Sequence, residues 1–349
     1  MDFSPIFKKP EDDKHASDKN QKNKKVDYSS LGINKENPVK EEPVPLQVPS
    51  DQNNEVFLTD KLIQAREIYE KGVRFVSDVV QKRTLPDDID KILNLTKAFI
   101  DFIKTSEQEL IELTFSKGFK DFDPVALNLL NVAIYSLELG LCLDLRENEI
   151  IELGVASLLH DAGMLKCLDL ASLTRVLKEA EYQRIKIHPQ EGRKILEDSG
   201  YKLMTNVLEV AEQEHERMDG SGYPKGLKDE QINKFAKIIG FVDVYEALTH
   251  QRPYRQALDP LAAMKMILEI KDKFDRKIVK VFLENIGLCP RGTVVELNTK
   301  EVARVIKHNP RYPMAPKLGI ILDAQKKKFT SQKEVDLSQK STIHITKCL

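Results

Sequence analysis

A mainly α-helical fold with short β-strands near its C-terminal end is predicted by three observations. Apolar residues recur at steps of three and four from Leu58 to about Gly287, the spacing that lines one face of a helix. The pattern then changes: "GTVVELNTKEVARVIKH" and "KLGIILDA" alternate like strands, with "NTKE" as a turn. The first 56 residues follow neither rule, being rich in Lys, Glu, Asp, Asn and Pro. Such a composition buries too little apolar surface to offset the entropy of ordering, so 1–56 is expected to be a disordered polar tail.

A chain of 349 residues accommodates about two domains. Hydrophobic residues make up 41% and charged residues 31%, the balance of a helix-prone soluble protein. The formal net charge of −1 gives no global field favouring nucleic acid or an acidic membrane, and neither is expected as a partner. No apolar run reaches the roughly 18 residues that span a bilayer. The N-terminus lacks an apolar core of signal-peptide length, so the expected location is the cytoplasm. Four cysteines, Cys142, Cys167, Cys289 and Cys348, are scattered without CxxC spacing, which suits reduced thiols.

Residues 57–119 are expected to be a helical N-terminal segment. In "DKLIQAREIYEKGVRFVSDVVQ" the residues Leu62, Ala65, Ile68, Tyr69, Val73, Val76 and Val80 form one apolar stripe. "LPDDIDKILNLTKAFIDFIK" repeats the pattern, with Pro86 and the acids after it suited to a helix start. From Asn128 onward one helical segment follows another, from "NLLNVAIYSLELGLCL" to "RKIVKVFLENIG".

Candidate chemistry lies with His160, Asp161, His188, His215 and Asp243. "HD" at 160–161 ends the apolar run "IIELGVASLL" and precedes the breaker Gly163. Neighbouring helix residues point about 100° apart, so the pair cannot face one ion symmetrically, but a carboxylate can bridge two ions while the histidine binds one. Asp243 lies in the apolar helix "KIIGFVDVYEAL", where an unpaired charge is costly. Each residue alone is ordinary. The intervals from His160 to His188, His215 and Asp243 are 28, 27 and 28 residues, about one helical hairpin each. A bundle can therefore gather them into one pocket, where imidazoles and carboxylates suit Fe, Mn or Zn. A shared carboxylate suits two ions about 3.5–4 Å apart, which activate water for attack on phosphorus.

Two readings stay open for "RMDGSGYPKGLKDEQI": a turn that ends a helix, or a loop that lets a large ligand approach the backbone. Arg252 and Arg255, in "THQRPYRQA", are either a solvated basic turn or a grip on phosphate oxygens.

Taken together, "LLHDAGM", "HPQEG", "EHERMDGSGYPKGL", "DVYEALTHQRPYR" and "KFDRKIVKVFLENIGLCPRGTVVELN" resemble the HD-GYP family in order and spacing. The resemblance assigns 120–325 to an HD-GYP domain and leaves 326–349 as a polar C-terminal tail, although "STIHITK" has strand character. It implies an HD-superfamily helical bundle, bound divalent metals, and cleavage of cyclic di-GMP to pGpG or GMP. Carried over, His160, Asp161, His188, His215 and Asp243 become metal ligands, with Asp161 bridging. Gly222, Tyr223 and Pro224 match the GYP loop at the nucleotide pocket, and Arg252 and Arg255 match residues that hold phosphate. Two ions, Fe or Mn with Zn as an alternative, are the expected cofactors. A signalling-protein partner and a homodimer are left open.

Four positions depart from the family pattern. Asn128 stands where a histidine ligand is usual, and Met164 where a lysine is usual, with Lys166 nearby as a substitute in catalysis. Glu246 replaces another residue type after the late aspartate. Glu214 stands in place of the first histidine of a pair; a glutamate is a competent oxygen ligand and keeps a coordination position. The expectation is an altered metal site that hydrolyses cyclic di-GMP, against two alternatives: a module that binds the nucleotide or a protein without hydrolysis, and an HD-superfamily hydrolase of another phosphoester.

Overall fold

The computed structural model describes residues 59–349 apart from 107, 120, 329–332 and 341. The expected tail 1–56 lies outside the described residues. The predicted mainly α class is found, with a small antiparallel sheet at the C-terminal end.

Among the described residues twelve α-helices follow one another: α1 (Asp60–Lys82), α2 (Ile89–Ile103), α3 (Glu109–Thr114), α4 (Pro124–Cys142), α5 (Glu147–Leu159), α6 (Leu168–Ala171), α7 (Glu179–Ile185), α8 (His188–Asp198), α9 (Thr205–Gln213), α10 (Lys234–Thr249), α11 (Pro260–Glu269) and α12 (Arg276–Asn285). A 3-10 turn, Ala162–Lys166, follows α5. Local chemistry sets the starts. Thr59 accepts from Leu62 N at 3.2 Å to cap α1, and Asp123 accepts from Val125 N at 2.8 Å ahead of Pro124 in α4. Asn233 caps α10 through Phe235 N at 2.8 Å.

The core is organised around α4 and α10, which pack on each other and are buried on nearly every face. Among the described residues, α4 alone has the length and apolarity of a membrane span, yet most of it is buried inside this domain. Its run includes Asn128, Asn131, Ser136 and Glu138, all buried. Helix α1 packs on α4, and Tyr69 donates a 2.7 Å hydrogen bond to Asn131 Oδ1.

Strands β1 (Val294–Leu297), β2 (Val302–Lys307), β3 (Lys317–Leu322), β4 (Glu334–Asp336) and β5 (Ile345–Cys348) form an antiparallel sheet in the order β4-β3-β2-β1-β5. Val295, Leu297, Ala303, Val305, Leu318, Ile320 and Leu337 make its core. The segment expected as a polar tail, 326–349, supplies both edge strands. These strands are three and four residues long and keep charged side chains such as Glu334 and Lys347 exposed, which gives them a tail-like composition. Arg291 ties the sheet to α3 through Glu112 at 2.9 Å and Glu109 at 3.4 Å.

Glu138 is a buried acid on α4 whose Oε1 has no hydrogen-bond partner among the described residues. Burial, reinforced by nearby Glu109, raises its pKa to about 8. The folded chain therefore holds this proton more tightly than the unfolded chain. The associated stability is full below the ordinary carboxyl range and is lost as pH rises through 8. Glu138→Gln is expected to remove that loss. In urea unfolding the variant should exceed the parent by roughly 5 kcal/mol at pH 9, with little difference at pH 4.

Candidate metal centre

Three helix ends and the middle of α10 deliver the site. His160 caps the C-terminal end of α5, and its Nδ1 donates to the Ser157 carbonyl at 2.7 Å. Asp161 follows at the entrance to the 3-10 turn. His188 opens α8 and its Nδ1 donates to the Ile185 carbonyl at 2.8 Å. In both rings the backbone bond fixes the tautomer and leaves Nε2 with its lone pair directed inward. Glu214 and His215 follow α9, with Glu214 as its C-cap. Helix α10 can approach closely because residue 240 is glycine: a Cβ there would lie 2.3 Å from the Glu214 carbonyl oxygen. Asp243 then falls one turn further along α10.

The donor atoms of Asp161, His188, Glu214 and His215 all lie within 4.8 Å of one another, and all four residues are buried. His188 Nε2 is 3.1 Å from Asp161 Oδ1, 3.4 Å from Glu214 Oε1 and 3.1 Å from His215 Nε2. His160 Nε2 is 3.5 Å from Glu214 Oε2. Yet His160 Nε2 and both oxygens of Asp161 and of Glu214 lack a well-formed hydrogen bond among the described residues. Buried polar atoms are normally paired, so several unpaired atoms converging on one point fit a cation. Oxygen and imidazole donors of this kind suit Fe, Mn or Zn.

The electrostatics of the pocket point the same way. Burial disfavours a charged His188, but Asp161 and Glu214 outweigh it and raise the imidazole to about 9. His160 is raised likewise by Glu214, Asp161 and Asp243 against its burial. Burial pushes Glu214 up to about 7 and raises Asp243 also. Asp161, although buried, is held well below the carboxylate range by His188. Burial and the neighbouring His188 depress His215 well below the ordinary imidazole value. The buried carboxylates favour positive charge in the pocket.

Beyond Asp243 the protein supplies its own compensation. Asn128 Nδ2 donates to Asp243 Oδ1 at 3.1 Å and to Glu246 Oε2 at 2.7 Å. Glu246 also accepts from Asn131 at 3.1 Å and from Arg252 Nη2 at 2.6 Å. Despite its burial, these partners and His250 hold the Glu246 pKa low.

The loop after α9 is folded back on the site. Tyr223 N donates to the His215 carbonyl at 3.2 Å, and the two rings stack with centroids 4.7 Å apart. Lys186 Nζ lies 5.0 Å from the centre of the Tyr223 ring. Glu216, buried, accepts from Lys225 N at 2.7 Å and Leu227 N at 2.9 Å, which pins the loop. At Gly222 a Cβ would lie 2.4–2.5 Å from the backbone of residues 215–217. Pro224 follows through a cis peptide bond.

The remaining sequence-derived residues divide. Arg252 lines a cleft that also includes Asp161, Met164, Ile185 and Tyr254. Arg255 does not join them: it donates to the carbonyls of Ala247 and of Leu248, the latter at 3.3 Å. The last carbonyls of α10 lack helical partners, and a guanidinium there satisfies them and the helix dipole. Lys166 pairs with Glu191 at the surface and is not among the pocket side chains. Met164 packs with Cys167, Leu170 and Ile185, so the position has become part of an apolar wall. Sequence reasoning missed Asn131, Lys186 and Glu216. For Glu216 the signal was an acid just before a glycine-rich loop, whose free amides require an acceptor.

A family model described as "HD domain" matches residues 97–278, and one described as "KOW domain associated with HD domain" matches 294–349. The chain is 31% identical over 212 residues to a cyclic di-GMP phosphodiesterase of Pseudomonas aeruginosa, covering 60% of this chain and 51% of that protein. It is 29% identical over 198 residues to a cyclic di-GMP phosphodiesterase of Borreliella burgdorferi, covering 56% and 52%. A 3'3'-cGAMP-specific phosphodiesterase of Vibrio cholerae is 27% identical over 224 residues, covering 61% and 46%. The chain thus spans about half the length of these relatives. A solved HDG"Y"P protein from Bdellovibrio bacteriovorus has the same fold, with a TM-score of 0.52 at 16% identity over 65% of this chain and 73% of that one.

Gly222→Ala tests the loop's packing. The added methyl must displace backbone, so the melting temperature should fall by an amount equivalent to about 1–3 kcal/mol. Amide exchange at Tyr223 should accelerate more than exchange in α4.

Proposed function

The chain belongs to the HD domain family, and from that premise we propose that it is a metal-dependent phosphodiesterase of the HD-GYP type acting on a cyclic dinucleotide of the cyclic di-GMP class. The observation that carries this reading is the set of unpaired buried donor atoms on His160, Asp161 and Glu214 beside His188 and His215. The relatives, named for cyclic di-GMP and 3'3'-cGAMP hydrolysis, support the substrate class.

In this reading His188, His215, Asp161 and Glu214 hold one ion, and His160 with Asp243 serves a second. Fe or Mn suits this oxygen-containing set, with Zn as the alternative. Bound divalent ions supply Lewis acidity toward water and the phosphodiester. The protein's share is positional. Ser157 and Ile185 fix two imidazoles, and α10 is packed directly on Glu214. Tyr223 stacks on the His215 ring, and the glycine beside it lets the loop lie directly on the backbone of residues 215–217. Arg252, on the cleft with Asp161, is placed to offset the negative charge of a phosphodiester, while its bond to Glu246 restrains it.

A second reading, a module that binds the nucleotide without hydrolysis, is favoured by two observations. Asn128 donates to Asp243 Oδ1, and among the described residues no lysine lines the cleft where Met164 stands. The two readings separate in one assay. Chain loaded anaerobically with Mn²⁺ or Fe²⁺ is expected to convert cyclic di-GMP to a linear product, and Asp161→Asn or chelation should lower the rate on the order of 100-fold or more. Tight calorimetric binding of the cyclic dinucleotide with no product, in parent and Asp161→Asn alike, would leave only the binding module.

A further inference from the structure

Glu214 differs from the other carboxylates of the pocket in that its two oxygens face different imidazoles. Oε1 lies 3.4 Å from His188 Nε2 and 4.0 Å from His215 Nε2, whereas Oε2 lies 3.5 Å from His160 Nε2. Neither oxygen has a hydrogen bond among the described residues. The placement is imposed by the backbone. Glu214 N donates to the Val210 carbonyl at 3.0 Å, its own carbonyl accepts from Arg217 Nη1 at 3.0 Å, and Gly240 presses on that carbonyl from α10. The neighbouring acids are already engaged: Glu246 by Asn128, Asn131 and Arg252, and Asp243 Oδ1 by Asn128.

We propose that Glu214 is a bridging ligand: Oε1 completes the donor set of Asp161, His188 and His215, while Oε2 joins His160 at an adjacent second position. The inference rests on reading this pocket as a metal centre. A single imidazole at position 214 would offer one inward lone pair; a carboxylate offers donors on two atoms, so one side chain serves both positions. Asp243, whose Oδ1 already accepts from Asn128, shares the second position with His160, and Glu214 Oε2 adds a further donor there. The two ions accordingly depend on a common group and are held as a pair.

The test is a calorimetric titration of the metal-free full chain with Mn²⁺, with bound ion counted by elemental analysis. The parent is expected to take up two ions per chain. Glu214→Gln, close to isosteric, should weaken both ions at least ~10-fold, the scale on which metal sites respond to altered ligation. His215→Ala should weaken one ion, and His160→Ala the other. Glu214→His, with one inward nitrogen, should restore only the ion shared with His188 and His215. If Glu214→Gln keeps one ion at parental affinity, Glu214 is a terminal ligand and the bridge is wrong; if it keeps both, Glu214 is no ligand. A parent chain that takes up neither Mn²⁺ nor Fe²⁺ overturns the metal-centre reading, and the bridge with it. Circular dichroism checks that the metal-free variants fold. Should Glu214→Gln not fold, Glu214→Asp, which keeps the charge but shortens the reach, carries the same test and should likewise weaken both ions.

Discussion

Carboxylates do not rest unpaired inside an apolar helix bundle, since stripping an ion of water costs several kcal/mol even after relaxation. Asp161, Glu214, Asp243 and Glu246 are each no more than 3% exposed, so the interior must compensate them. It does so in two ways. Glu246 is surrounded by donors from α4 and the Arg252 turn, a closed arrangement that asks for nothing further. Asp161 and Glu214 are met by imidazoles and left with unspent oxygens. The same burial thus produces an inert acid at one end of the cavity and a cation-seeking group at the other.

Helix ends make that division possible. A residue in mid-helix points where the ridge of side chains dictates, and its backbone is already paired. At the ends of α5 and α9 and the start of α8 the backbone groups are free to take part. Ser157 and Ile185 offer carbonyls to two rings, and the end of α9 turns so that Glu214 and His215 both look inward. The apolar faces of α4 and α10 supply the rigidity against which these ends are set.

Much of this was legible in the sequence, for identifiable reasons. The helical class followed from sustained periodicity, and the residues gathered in the candidate site from histidines and acids at near-equal intervals. What the pattern could not convey was direction. Arg255 and Arg252 are three residues apart in one basic turn, but one crosses to Glu246 and the other returns to the carbonyls of its own helix. Asn128 reads as a weak ligand by residue type, while in the fold it is a donor to two acids. Edge strands β4 and β5 carried too few alternations to stand out from a polar tail. Close contacts such as Gly240 against Glu214 are invisible without coordinates, because a glycine inside a helical run has no side chain to declare its neighbour.

The hydrogen bond from Tyr69 to Asn131 bears on where this protein can be cut. The HD family match begins at residue 97, which invites a shortened chain starting there. Tyr69, Val73, Val76 and Val80 of α1 are buried, however, and Asn131 in turn donates to Glu246. Removing α1 would bare a face of α4 and strip a partner from the polar residue that steadies Glu246. The smallest unit with an intact interior therefore starts ahead of the family boundary, at the Thr59 cap.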